Sequence, residues 1–459
     1  MRELPQWEFS VYALSLPRGH GFGNRPPVSV WRSDDGLGCG AITKDININD
    51  FGFLVMRRRV DQVWTVIAQS HGLSSKSEAF EQLAVALKEG QPPEPMPLST
   101  LMRPALYDLK GRTPSDIFKL LTRPSHIPAA WILNQLYLAL PKPDRNWASD
   151  CQTSNFHTRL WEAQLLASFR EQGLIVTQPF ESPDFRIQNK LGEEAWVEAV
   201  TANPTLRYNH VNAPRSVGPT DPDDIFFGKA ALRFAKTIGS KLQRQYDQLA
   251  HVTGKPFMLA IADFQASASM LWSRESLIGY LYGEGARQEE VEGQLQAVPM
   301  KATYLLDSST FPAGLFADDR HSEISAIIFS NACSMAKLNR VAVSGRGAPE
   351  GLRYTRLGQF FDRTPGALKG IPFCFDVASK EYRGLWPHGF EPWCAELEVF
   401  HNSFARCPVS FELLPEATHW FDQNGEKVCN SVYETSILWS QTHIQNADDP
   451  PPRLEDIVI

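Results

Sequence analysis

The order of apolar patterns in the middle of the chain constrains its fold more than any other feature. A helical stripe, an extended run, a hairpin pattern, a long helical stripe and a wholly apolar strand follow one another in residues 155–173, 175–180, 182–204, 226–252 and 256–263. Apolar positions recur about every 3.6 residues in helices and at every second residue in strands. This order predicts an α/β (α+β) fold in which helices pack on a central mixed β-sheet.

Two acidic residues lie symmetrically in the hairpin "SPDFRIQNKLGEEAWVEAVTANP". Asp184 and Glu198 are each seven residues from Leu191, so a three-residue loop centred on Leu191 places them directly opposite each other. That loop puts Gly192 where a left-handed residue is required. Opposite residues share one face of a sheet, with Cβ atoms roughly 4.5–5.5 Å apart. The predicted register therefore brings two carboxylates together.

Two adjacent carboxylates repel each other, and like charges placed opposite one another destabilise a pair of strands. A divalent cation converts this repulsion into a binding site, because Mg²⁺ and Mn²⁺ prefer hard oxygen ligands. A register shifted by two residues would instead leave Asp184 and Glu198 as separate, solvated charges. Spacing alone leaves both interpretations open.

A third acid lies on the apolar face of the preceding helix. Glu162 shares that face with Leu165, Leu166 and Phe169, which follow it by three, four and seven residues. An acid in such a position departs from the amphipathic pattern and indicates either a functional group or a paired charge. The alternative is a glutamate at the edge of the apolar face that extends to solvent.

This arrangement resembles the PD-(D/E)xK nuclease superfamily, whose acidic positions are matched by Glu162 on a helix, Asp184 after a proline, and Glu198 on the next strand. The resemblance covers residues 154–265 and extends to about residue 340. It implies a restriction-endonuclease-like fold and a site for Mg²⁺ or Mn²⁺. The metal ligands that it implies are Asp184, Glu198, the carbonyl of Ala199, and Glu162.

The chain departs from the family motif at its lysine. The motif lysine, two residues after the second acid, falls on Val200. In some members of the family the lysine lies on the following helix, and here Lys241 is the best replacement. Lys190 and Lys236 are weaker candidates, and the alternative role of Lys241 is that of a surface lysine. If no lysine reaches the acids, the resemblance implies a catalytically inactive protein.

The same long helix carries a loose basic stripe. Its charges are suited to follow a phosphate backbone, which would position a nucleic acid without reading its sequence. A solvated helix face is the alternative. Two polar residues follow the stripe at positions that often contact substrate in the family. The predicted nucleic-acid contacts are Lys229, Arg233, Lys236, Arg244, Gln245 and Tyr246.

Length and composition indicate the wider organisation. A chain of 459 residues exceeds one average core, and a content of 43% hydrophobic and 21% charged residues is typical of globular proteins. Changes in pattern predict an N-terminal α+β domain (1–100), a linker or helical connector (101–150), the nuclease-like domain (151–345) and a C-terminal extension (346–459). The terminal regions are predicted to bind a partner protein or a second copy of the chain.

Several features predict a cytoplasmic protein that does not enter a membrane. The sequence has no run of eighteen apolar residues, its N-terminus lacks the apolar core of a signal peptide, and its seven cysteines are scattered. The net charge of −7 provides no general attraction to nucleic acid, so any binding surface must be local. Stretches such as "ELEVFHNSFA" also resemble a group of bacterial proteins and imply no activity.

The resemblance implies a metal-dependent nuclease that hydrolyses phosphodiester bonds, with DNA as the expected substrate and DNA processing or defence against foreign DNA as the expected role. An inactive protein that binds nucleic acid or serves as a scaffold is the main alternative. A metal-dependent hydrolase of small phosphoesters is a third. The geometry that distinguishes them is whether a lysine and Glu162 converge with the two acids of the hairpin.

Overall fold

The computed structural model of the chain describes residues 1–19, 24–87, 90–98, 100–204, 211–306, 308, 310–364, 367, 369–453 and 455. Within these residues the protein combines helices with four β-sheets, which confirms the predicted α+β class. The largest sheet has eight strands and carries the candidate site. No helix in the described ranges has both the length and the apolar character that a membrane span requires.

The N-terminal region forms a five-stranded antiparallel sheet whose strands lie in chain order. One helix packs on each face of this sheet, because alternate strand residues such as Val55 and Met56 belong to two separate apolar cores. The elements are β1 (Arg2–Glu3), α1 (Gln6–Ala13), β2 (Pro27–Arg32), β3 (Gly38–Lys44), β4 (Phe51–Arg58), β5 (Trp64–Leu73) and α2 (Lys76–Leu87).

The region predicted as a linker or connector, residues 101–150, belongs to the main core. Leu133 and Leu136 are fully buried there, and the N–H of Ala129 donates to the side chain of Asn339 at 3.0 Å. A mostly apolar helix is stable in such a segment because neighbouring helices cover it. The helices are α3 (Asp116–Leu120), α4 (Ile127–Ala139) and α5 (Trp147–Gln152).

The central region follows the predicted order of helix, three strands, helix and strand. Its first strands form an antiparallel meander, and the next two strands add in parallel after helical crossovers. The elements are α6 (Phe156–Glu171), β6 (Ile175–Thr177), β7 (Phe185–Gln188), β8 (Glu194–Ala202), α7 (Pro222–Phe227), α8 (Lys229–Leu242), β9 (Phe257–Asp263), α9 (Arg274–Tyr282), β10 (Glu284–Val291), β11 (Gln294–Lys301), β12 (Ala326–Ser330) and α10 (Met335–Arg346).

The C-terminal region does not form a separate extension beyond residue 345. Three of its strands continue the central sheet, whose order is β6-β7-β8-β9-β12 followed by β15, β16 and β17, and three others form a sheet of their own. The elements are β13 (Leu352–Phe360), β14 (Ile371–Asp376), α11 (Lys380–Gly384), β15 (Glu398–His401), β16 (Thr418–Gln423), β17 (Glu426–Asn430) and β18 (Ile437–Asn446). The sheet therefore crosses the predicted domain boundary.

Helices cover both faces of the central sheet. Residues of α4, α6 and α10 form the apolar core on one face, and residues of α8 and α9 form the core on the other. Strand β8 contributes to both cores by alternation, with Val197 in the first and Trp196 in the second. Side chains of β7 and β8 that point to the second face consequently lie under α8.

The predicted single helix over residues 226–252 is divided. Helix α7 ends at Phe227, Gly228 is extended, and a Cβ at Gly228 would collide with the backbone of Asp224. Helix α8 ends at Leu242, and Gln245 then adopts a left-handed conformation with φ of 52° before a short 3₁₀ turn begins at Tyr246. This reversal directs the chain back towards the sheet.

Candidate metal and catalytic site

The hairpin has the register that its symmetry predicts. Phe185 pairs with Val197 and Arg186 with Trp196, so one step further along Asp184 lies opposite Glu198. The loop has the predicted three residues, because the N–H of Asn189 donates to the carbonyl of Glu193 at 3.0 Å. Gly192 has a φ of +89°, which a residue with a side chain rarely adopts.

The two acids share the face of the sheet that α8 covers. Phe185 and Val197 belong to the core on the opposite face, whereas Trp196, two residues before Glu198, belongs to the core under α8. Because successive strand residues alternate between faces, Glu198 projects on the side of Trp196. Glu198 is 5% exposed. The site therefore combines a buried carboxylate with a second acid across the strand pair.

Asp184 lies directly before strand β7. Its side chain, and not a backbone carbonyl, accepts the hydrogen bond from the N–H of Ala199 on β8. The N–H of Ala199 donates to Asp184 Oδ2 at 2.7 Å. In an antiparallel pair the N–H and carbonyl of one residue point towards the same neighbouring strand. The carbonyl of Ala199 consequently points to the side on which Asp184 lies, as the predicted metal site requires.

The electrostatic environment of Asp184 disfavours its negative charge. Burial raises the pKa of the Asp184 carboxyl well above its ordinary value, and the charges of Glu198 and Glu162 raise it further. The N–H of Ala199 and the charge of Lys241 lower this pKa without reversing the shift. Two carboxylates and a carbonyl are hard oxygen donors, and a divalent cation would relieve their mutual repulsion. The residues present thus fit Mg²⁺ or Mn²⁺.

A lysine reaches the acids from the helix and not from the strand. Lys241 Nζ lies 2.6 Å from Glu198 Oε1, from the last turn of α8. The side chain of Lys241 is 17% exposed, so the ion pair is largely shielded from solvent. Lys190 and Lys236, the weaker candidates, are both exposed. The lysine that contacts Glu198 therefore comes from α8.

Tyr246 is the second partner of Glu198. Its hydroxyl donates to Glu198 Oε1 at 2.7 Å, and Arg244 Nη1 donates to the same hydroxyl at 3.4 Å. Burial raises the pKa of Tyr246, and the hydrogen bond to Glu198 raises it further. The phenol therefore remains a proton donor. Lys241 and Tyr246 together hold one oxygen of Glu198 in a fixed orientation.

Glu162 is buried, as its place on the apolar face predicts, but its carboxylate is paired. Arg159 Nη1 donates to both of its oxygens at 3.0 and 3.1 Å, and Trp147 Nε1 donates to Oε2 at 2.8 Å. Burial raises the pKa of Glu162, while Arg159 lowers it. Glu162 is near enough to raise the pKa of Asp184. The carboxylate oxygens of Glu162 nevertheless accept their hydrogen bonds from Arg159 and Trp147.

Glu162 does not complete a three-acid metal cluster with Asp184 and Glu198. Among the described residues, the group with three ligand atoms all within 4.8 Å of one another consists of Glu171, Cys394 and Glu416. The prediction of Glu162 as a direct ligand is therefore not met in this arrangement, because Arg159, one helical turn before it, supplies a closer partner.

The predicted nucleic-acid contacts differ in their accessibility. Tyr246 is 3% exposed and belongs to the core under α8, so its predicted role as a surface contact is wrong. The reversal after α8 causes this burial. Arg233 is half-buried. The remaining predicted contacts are exposed: Lys229, Lys236, Arg244 and Gln245.

Several site residues were absent from the sequence-based prediction. The spacing of Arg159 and Glu162 indicates a helical ion pair and would have predicted their contact. The contact of Trp147 with Glu162 and that of Tyr246 with Glu198 depend on tertiary packing, for which the local sequence provides no pattern. An aromatic group of Phe180, Trp196 and His251 was also missed, because its members are distant in sequence.

Comparison of the chain with protein-family models, curated proteins and solved structures found no match. The geometry of the site therefore carries the functional interpretation.

Proposed function

We propose that the protein is a metal-dependent nuclease of the PD-(D/E)xK type, with a restriction-endonuclease-like arrangement in residues 156–263. The observation that carries this proposal is the contact between Lys241 Nζ and Glu198 Oε1 on the strand face that also bears Asp184. A lysine beside two opposed acids is the combination that the chemistry requires, and the departure at Val200 had put it in doubt. The contact of Lys241 from α8 supports the proposal at this point.

Asp184, Glu198 and the carbonyl of Ala199 would hold Mg²⁺ or Mn²⁺. When bound, such an ion lowers the pKa of a coordinated water and offsets negative charge on a phosphate. Lys241 adds a positive charge and a hydrogen-bond donor beside the scissile phosphate, where negative charge increases during hydrolysis. Tyr246 keeps Glu198 oriented. Glu162 is paired with Arg159 and would act on the site only through the effect of its charge on Asp184.

The proposed substrate is nucleic acid, with DNA preferred, and the product is a broken phosphodiester. The exposed groups Lys229, Lys236, Arg244 and Gln245 lie on α8, the helix that carries Lys241, or directly after it. Positive charge there would compensate for the overall negative charge of the protein. A cytoplasmic role in DNA processing or in defence against foreign DNA is the corresponding biological proposal.

The test is cleavage of labelled single- and double-stranded DNA and RNA with Mg²⁺, with Mn²⁺ and with EDTA. We expect metal-dependent cutting by the wild type and its loss in Glu198→Gln and Lys241→Met. Lys190→Met is the matched control, because Lys190 lies in the same hairpin as the two acids but is exposed and is not among the proposed nucleic-acid contacts. Cutting that persists in Lys241→Met would refute the role of this lysine. Metal-independent binding without any cutting by the wild type would favour the inactive binding protein.

A further inference from the structure

An aromatic ring lies exposed beside the candidate site. Phe180 has 51% of its surface exposed. Its ring stacks on the imidazole of His251, with centroids 3.9 Å apart and an angle of 14° between the planes. Trp196 supports both rings, with centroid distances of 5.9 Å to Phe180 and 4.7 Å to His251. We call these three residues the aromatic platform.

The platform is held in place from beneath. Trp196 is 2% exposed, and His251 Nε2 lies 3.0 Å from the carbonyl oxygen of Ser182. This contact connects the imidazole to the segment that leads into Asp184. A ring that is already ordered loses little side-chain freedom when a ligand stacks on it. Phe180 therefore differs from an isolated apolar side chain at the surface.

The platform lies on the same side of the sheet as the two acids. Trp196 precedes Glu198 by two residues on β8, so their side chains share a face. Phe180 precedes Asp184 by four residues, which limits the separation of their Cα atoms to about 14 Å. That distance corresponds to a few nucleotides of an extended strand. A substrate whose phosphate is at the acids would bring a neighbouring base within reach of Phe180.

The chemistry of the platform favours a base over a phosphate. Glu181, which follows Phe180, is exposed and would repel a phosphate at this position. The face of an aromatic ring stacks on any nucleobase. In a duplex both faces of a base are covered by its neighbours, so the ring has access only to unpaired bases.

We propose that Phe180 stacks on an unpaired nucleobase, so that the site prefers single-stranded nucleic acid. This inference rests on the proposed nuclease function and specifies its substrate class. Loss of one base–aromatic stack weakens binding by about 5- to 150-fold, which corresponds to about 1–3 kcal/mol. Duplex binding has no such contribution from Phe180.

The test measures binding of short DNA and RNA oligonucleotides of one sequence, single-stranded and duplex, in EDTA so that no cleavage occurs. Each oligonucleotide contains 2-aminopurine, whose fluorescence is quenched when it stacks on an aromatic ring. We expect Phe180→Ala and Phe180→Leu to lose the quenching and at least fivefold in single-strand affinity. Phe180→Trp should keep both. Comparison of the DNA and RNA oligonucleotides shows whether the site binds deoxyribose or ribose strands more tightly.

Tyr304→Ala is the matched control, because Tyr304 is an aromatic residue with 53% exposure that lies outside the platform. Its single-strand binding should equal that of the wild type. Phe180→Leu retains apolar bulk over His251 and so separates stacking from folding, which the thermal midpoint of each variant checks. Single-strand affinity and quenching that are unchanged in both Phe180→Ala and Phe180→Leu would overturn the inference.

Two results separate this inference from the proposed function. If the wild type cuts nucleic acid but Phe180→Ala binds and cuts single strands equally well, the platform inference fails and the nuclease stands. If the wild type cuts nothing but binds single strands through Phe180, the nuclease proposal fails and the platform stands as a binding site.

Discussion

Replacement of Asp184 by asparagine is expected to stabilise the metal-free protein, although it removes a residue that the proposed reaction needs. Asparagine retains a side-chain oxygen that accepts the N–H of Ala199, which Asp184 Oδ2 now accepts at 2.7 Å. The substitution removes the charge and replaces the other carboxylate oxygen with an amide NH2 group. That charge is half-buried and lies opposite Glu198, and both features raise the pKa of Asp184. The wild-type residue therefore costs folding free energy.

The size of the effect follows from the repulsion by Glu198 and from the burial of the Asp184 carboxyl. Like charges placed opposite one another destabilise a pair of strands. Burial adds about 1.4 kcal/mol for each unit by which it raises the pKa of the carboxyl. We expect Asp184→Asn to increase the free energy of unfolding by about 1 kcal/mol or more at neutral pH. Metal at ten times its dissociation constant would stabilise the wild type by about 1.4 kcal/mol and the variant not at all.

The assay is urea-induced unfolding followed by tryptophan fluorescence, with EDTA or with Mg²⁺. Glu194→Gln is the control of opposite sign: burial alone would raise the pKa of the Glu194 carboxyl, but Lys255 and Arg186 lower it below its ordinary value, so loss of the charge should destabilise by about 0.2–1 kcal/mol. An Asp184→Asn protein that is less stable than the wild type in EDTA would refute the electrostatic reasoning. An equal gain from Mg²⁺ in both proteins would refute the metal site.

Three further predictions concern other buried polar groups. Tyr246→Phe removes a hydrogen bond to Glu198, so the free energy of unfolding in urea should fall by about 1.5–3 kcal/mol and cleavage should be reduced. Unchanged stability together with unchanged cleavage would contradict the role of Tyr246 in orienting Glu198. Arg356→Met removes one of the cations that pair with Glu396 in a fully buried ionic network, so the free energy of unfolding should fall by about 3–5 kcal/mol. A fall of less than about 1 kcal/mol would show that solvent enters the network in the variant. Burial raises the pKa of Glu171 from 4.5 to about 8, so the folded state binds the extra proton and stability falls as pH rises between those values. Glu171→Gln should flatten this part of the stability profile, measured by thermal unfolding from pH 4 to 8, and a slope equal to that of the wild type would exclude Glu171 as its cause.

The central elements and the hairpin register could be predicted because local patterns determine them. Alternation along β7 and β8 and the left-handed requirement at Gly192 leave one register that buries Phe185 and Val197 together. The two acids then face each other by geometry alone. The candidate pair Asp184 and Glu198 is therefore a consequence of sequence spacing.

Other features could not be predicted because they depend on distant parts of the chain. Strand β15 joins the central sheet through hydrogen bonds to β12, and β16 and β17 extend the sheet in turn. The segment before residue 345 contains no pattern that requires these neighbours. The end of α8 was misjudged because residues 243–246 fit a helical pattern, yet the chain reverses at Gln245. That reversal is what buries Tyr246 and brings it to Glu198.

The position of the lysine follows from the packing of β8 against α8. Val200 shares the face of Glu198 and packs against the apolar core under α8, so a lysine there would have to place its charge within that core. Lys241 comes from the last turn of the covering helix, and its amine reaches Glu198 while its side chain stays partly in contact with solvent. Val200 of β8 thus supplies an apolar contact to the core, and Lys241 of α8 supplies the positive charge. The same reversal that ends α8 brings Tyr246 to the oxygen of Glu198 that Lys241 also contacts, so one stretch of chain, residues 241–246, provides both groups that hold this carboxylate.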